Sequence, residues 1–162
     1  MKQPGAKLID PKQFGQRPVE RPIFDADCAA RAEQALKQMS GSFQEWLEAD
    51  VAKLQQARLA GERGGWTLEA CEALLNAAHD LKGLGATYEY PLVGKIAACL
   101  CRLLENDGAK TASLKAPALM AAHVDAIRAA SRDHIKSSEN PVGGALLKAL
   151  EAQVDALDPA QP

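Results

Sequence analysis

Aromatic residues make up only 4% of this 162-residue chain. Valine, isoleucine and threonine are also sparse, while alanine is abundant. Strands draw on β-branched and aromatic side chains, whereas alanine is the best intrinsic helix former. The shortage therefore excludes sandwiches and barrels and predicts an all-α protein with closely packed helices. Charge of one sign is missing too. Nineteen Lys and Arg face 21 Asp and Glu, for a formal net charge of −2. Neither a basic excess nor a supply of stacking aromatics is there to bind nucleic acid. Long apolar runs are absent: the longest, Ile96 to Leu104, contains Arg102 and is too short to span a bilayer. Met1 opens a polar, proline-containing segment with no apolar core, so no signal peptide is expected. The four cysteines, Cys28, Cys71, Cys99 and Cys101, form no CxxC pair and have no zinc spacing. They are read as reduced, mostly core residues, and the protein as cytoplasmic, without nucleic-acid or membrane partners and without a bound metal.

What is present is a series of helical patterns. The apolar fraction of 47% and charged fraction of 25% are those of a globular domain. Residues 1–24 carry four prolines, with Lys2, Lys7, Lys12, Arg17 and Arg21 against Asp10 and Glu20. They read as an extended or flexible segment that docks through Ile23 and Phe24 or stays mobile. A bundle is expected over 25–158, followed by a tail at 159–162. Its first helix starts at Asp25, an N-cap candidate, with a stripe of Leu36, Met39, Phe43, Trp46, Leu54 and Ala57. Ser40-Gly41 leaves open whether this is one helix or two. Both tryptophans, Trp46 and Trp66, are expected to pack.

The second helix is capped by Thr67 and runs through Leu68, Cys71, Leu74, Leu75, Ala78 and Leu81; Gly85 and Tyr88–Pro91 close it. Pro91 suits the first turn of a third helix with Leu92, Val93, Ile96, Leu100, Leu103 and Leu104 on one side. Asn106-Asp107-Gly108 stops it, and a loop over 107–116 leads to a fourth helix near Pro117, with Met120, Val124, Ile127 and Ile135. After Asn140-Pro141 a last helix carries Leu146, Leu147, Leu150, Val154 and Leu157. Amphipathic helices joined by short loops describe an antiparallel four-helix bundle with an additional N- or C-terminal helix.

One stretch carries chemistry beyond packing: His79-Asp80-Leu81-Lys82-Gly83. With Ala78 at the centre of the apolar stripe, His79 lies about 100° round, at its rim. Lys82 and Gly83, at i+3 and i+4, fall on the same side. An imidazole thus has an ammonium on one flank and no side chain on the other. Histidine as a residue type is largely neutral and nucleophilic at cellular pH. A phosphoryl group on it brings negative charge that a lysine one turn away offsets. A glycine inside a helix costs about 1 kcal/mol against alanine, and in a chain this rich in alanine it asks for a reason. Room for a phosphoryl group and its donor is such a reason. Asp80 points off this arc.

This motif resembles the HxLKG signature of the histidine-containing phosphotransfer (HPt) family, helical bundles that carry phosphoryl groups between receiver domains. The resemblance extends over about residues 67–106, where Leu92, Ile96, Leu100 and Glu105 fit the family's apolar spacing and closing acidic residue. It implies that His79 is the phosphorylated residue, that Lys82 supports the phosphate and that Gly83 clears space. It also implies a stoichiometric phosphocarrier, with response-regulator receiver domains and a hybrid histidine kinase as partners. Leu75 and Ala86 are the docking candidates beside His79, and the Tyr88–Pro91 turn, unusual for the family, is a candidate for partner choice. No cofactor is expected, because any Mg²⁺ would belong to the receiver: no carboxylates cluster at ligand spacing around His79. No glycine-rich nucleotide loop is present for autophosphorylation from ATP. A monomer or weak dimer is expected, the long first helix being the surface that would pair. His123 and His134 read as satisfied core-edge histidines. Two rival readings are a helical adaptor that never carries phosphate, and a bundle that holds a metal or haem through its three histidines.

Overall fold

The computed structural model describes residues 26–105 and 116–157. The readings placed on 1–24, Asp25, Asn106–Gly108, the loop before residue 116 and the C-terminal tail lie outside the described residues. Among the described residues five helices follow one another: α1 (Ala26–Gly64), α2 (Leu68–Leu84), α3 (Pro91–Glu105), α4 (Pro117–Arg132) and α5 (Pro141–Leu157). No strand occurs among the described residues, as the shortage of β-branched and aromatic side chains predicts. No helix among them is long and apolar enough to cross a membrane.

The chain divides into two compact units, Met1–Leu36 and Lys37–Pro162. In the first, the described side chains from Asp27 onward are exposed, except for half-buried Cys28. The second is a helical bundle centred on α3. Nine of that helix's side chains are buried, and Ala97, Cys99 and Cys101 join the expected leucines. Burial thus goes most of the way round α3, because α2, α4 and α5 all pack on it. The other helices bury one stripe each: Cys71, Leu74, Ala78 and Leu81 on α2, Met120, Val124 and Ile127 on α4, and Leu147, Leu150 and Val154 on α5. Ile135 is half-buried and lies beyond the end of α4.

The expected stripe of α1 needs correction. The helix is continuous through Ser40-Gly41, but Met39 and Trp46 are about half exposed and Leu36 more so. The buried face is Leu47, Asp50, Val51 and Leu54. The reason for Met39 and Trp46 is angular: they lie about 80° and 100° round the helix from Leu47, at the edge of the face that is buried. Trp66 does pack: its ring fills the space beside Gly61, where an added Cβ would lie 2.5 Å from it.

In the Tyr88–Pro91 turn, Glu89 and Pro91 are exposed. Both tyrosines are buried. The Tyr88 hydroxyl donates to Asp50 Oδ2 at 2.9 Å, and Lys53 Nζ donates to Asp50 Oδ1 at 2.7 Å. The Tyr90 hydroxyl donates to Gln44 Oε1 at 2.9 Å, which leaves His134 Nδ1, 2.8 Å from the Tyr90 hydroxyl oxygen, to donate to that hydroxyl oxygen. These bonds satisfy a buried acid and two buried phenols and tie the α2–α3 turn to α1.

Candidate functional site

Thr67 caps α2, accepting a hydrogen bond from Ala70 N at 3.2 Å, and the helix then runs through the whole motif. The buried stripe Leu74, Ala78 and Leu81 fixes its rotation. With Ala78 fully buried, the next residue, His79, is turned out to solvent, and Lys82 and Gly83 are exposed on the same side. Helical side chains lean toward the N-terminus of their helix. The Lys82 stem therefore lies back over the turn that holds His79.

Two glycines in this stretch serve opposite ends. At Gly85 an added Cβ would lie 2.7 Å from Gly94 N and 2.8 Å from Gly94 Cα. That glycine is needed for the close approach of α2 and α3. At Gly83 an added Cβ would meet nothing within 4 Å. No intramolecular packing asks for glycine there, although the residue sits inside a helix where alanine would be more favourable. The vacancy opens outward, next to His79.

The three histidines lie in different surroundings. His123 is fully buried. Its Nδ1–H donates to Leu119 O at 2.8 Å, and its Nε2 is 3.4 Å from the Cys99 thiol, whose S–H it can accept. It lies deeper than a core-edge position, and is satisfied as expected. Burial lowers its pKa below 6.5, aided by the nearby Arg102 charge and opposed by the bond to Leu119. The unfolded chain therefore binds a proton that the folded chain refuses. This contribution to stability is intact above pH 6.5 and is lost as pH falls from there through the folded-state value. Urea-unfolding midpoints should drop between pH 7.5 and pH 5, with a shallower slope in His123→Gln. Equal slopes in parent and variant would refute this. His134 lies past α4 in a left-handed backbone conformation (φ 52°) and spends Nδ1 on Tyr90. Only His79, among the three, is exposed on a helix face with no hydrogen-bond partner among the described residues.

The Lys82 ammonium is 3.9 Å from Glu105 Oε1 at the end of α3. Beneath them, the buried Cys101 thiol is raised to about 11 by desolvation, with Lys82 pulling it down and Glu105 pushing it up. It stays neutral. Asp80 is exposed, and its charge adds a minor upward push to Lys53 and Tyr88. Of the docking candidates, Ala86 is exposed, while Leu75 is half-buried and packs against the core. Leu84 adds a partly exposed apolar side chain. No group of three His, Cys, Asp or Glu among the described residues is arranged to hold a metal ion.

Reading single residues does not reveal Glu105 as the partner of Lys82. The available signal is the short α2–α3 turn, which makes those helices antiparallel neighbours and brings the end of α3 back alongside α2. The family model of the Hpt domain matches residues 38–130, more than half of the chain. No curated protein and no solved structure matches it.

Proposed function

Because this chain belongs to the Hpt domain family, we propose that His79 takes a phosphoryl group from the aspartyl phosphate of a receiver domain and passes it to another. The observation that carries this reading is the contrast among the histidines. His123 is sealed in the core and His134 is bound to Tyr90, while His79 is free at the surface beside Lys82 and the open space of Gly83.

The chemistry is a displacement at phosphorus. The outward ring nitrogen of neutral His79 attacks, an N–P bond forms, and the P–O bond to the receiver's carboxylate breaks. The carboxylate leaves with the electron pair, and the proton on the other ring nitrogen stays, giving a phosphoimidazolium. Positioning and charge compensation dominate such transfers. Lys82 supplies compensation from this chain, and Mg²⁺ is assigned to the receiver. The receiver seats on the surface that includes Ala86 and the accessible part of Leu75. Upstream, the receiver of a hybrid histidine kinase supplies the phosphoryl group. Hpt domains are phosphocarriers, and this chain is consumed and regenerated stoichiometrically.

The test is transfer of radiolabelled phosphate from a phosphorylated receiver. The parent protein should accept label that survives alkali and is lost in acid, and His79→Gln should accept none. Equal labelling of parent and variant would overturn the assignment. Receiver binding with no label on either protein would favour an adaptor that never carries phosphate.

A further inference from the structure

We infer that Glu105 is a positioning residue for His79: it holds the Lys82 ammonium in the unphosphorylated protein and competes for it after phosphorylation, shortening the life of the phosphohistidine. This rests on the carrier reading above and deepens it.

The geometry supplies the competition. Lys82 leans back over the turn of His79, and its ammonium is 3.9 Å from Glu105 Oε1. Both side chains are close to half exposed, at 42% and 48%, so the pair is held loosely and is free to exchange. Cys101 beneath them is neutral, leaving Glu105 as the anion on the α3 side.

A phosphoryl group on His79 brings an anionic centre within reach of the same ammonium. Lys82 must then divide its charge between a carboxylate and a phosphoryl group. The carboxylate is carried at the end of a helix packed on α2. Every fraction of Lys82 retained by Glu105 is withdrawn from the phosphohistidine, which makes the phosphoryl group easier to pass on. A carrier needs this bias, since a phosphohistidine that is too well neutralised would be an end point. Exposed ion pairs have modest strength, which sets the expected effect at about two- to fivefold.

The experiment labels parent, Glu105→Gln, Lys82→Gln and the double variant from one phosphorylated receiver. It then follows the loss of label to added unphosphorylated receiver and the final partition. Circular dichroism establishes that each variant is folded. Glu105→Gln should retain label about two- to fivefold longer than the parent. That gain should vanish in the Lys82→Gln background, as a double-mutant cycle reads coupling, and shrink in 1 M salt. A labelled parent with no gain in Glu105→Gln overturns the inference alone, as does an equal gain with Lys82 absent. A parent that takes no label overturns the carrier reading, and this inference with it.

Discussion

Alanine in place of Gly83 is expected to make the protein more stable and a worse acceptor. The stability gain should be about 0.5–1 kcal/mol, the helix-interior difference between the two residues. The added methyl group meets no atom of the chain within 4 Å, so nothing offsets that gain. The loss of function should be about tenfold or more in transfer rate, equivalent to roughly 1.4 kcal/mol of barrier. The methyl group would stand in the space beside His79 that the incoming phosphoryl group and its donor need, and displacement at phosphorus depends on alignment. Opposite signs in the two readouts separate this account from a structural one. Chemical denaturation and single-turnover transfer measure them independently. A Gly83→Ala protein that transfers as fast as the parent would remove Gly83 from the site.

Gly85→Ala should change stability in the opposite direction, although it lies two residues on and is also a glycine-to-alanine change in a helical conformation (φ −56°, ψ −40°). Here the methyl group would collide with the backbone of Gly94 at 2.7–2.8 Å and with Leu81 O at 2.9 Å. Backbone cannot rotate aside as a side chain can. The α2–α3 pair must separate or shear, and overpacking of this kind costs about 1–3 kcal/mol, sometimes more. The denaturation midpoint should fall accordingly. Because Lys82 and Glu105 sit on the two helices that would be displaced, transfer should fall with it. A Gly85→Ala midpoint at or above that of the parent would show that the helices do not approach as closely as described.

The two glycines also show what the sequence could and could not convey. Gly83 stands out against a chain rich in alanine, at i+4 from a histidine and one residue after a lysine, and that local departure from helix propensity is visible in one dimension. The role of Gly85 is not, because its reason lies at Gly94, on another helix. The same division runs through the fold. Thr67 as N-cap, Pro91, Pro117 and Pro141 as first-turn residues, and the stripes of α2, α4 and α5 are local signals, and the helices follow them. The stripe of α1 misled because three- and four-residue steps admit a broad arc; Met39 and Trp46 fall about 80–100° from Leu47, at the edge of the face that is buried, and remain exposed. Asp50 shows the converse. An acid within the stripe Leu47, Asp50, Val51 and Leu54 is buried because Tyr88, distant in sequence, donates to it. The exposure of His79 followed from the helical wheel, whereas the pairing of Lys82 with Glu105 required the α2–α3 packing.

The central claim is that one of three histidines carries the phosphoryl group. Locating it on the intact phosphorylated protein is the most direct measurement. After transfer from a receiver, peptide mapping under alkaline conditions, with phosphorus NMR of the same sample, should find a single phosphohistidine at His79 and unmodified His123 and His134. Phosphate on His134, or labelling that persists undiminished in His79→Gln, would contradict the account.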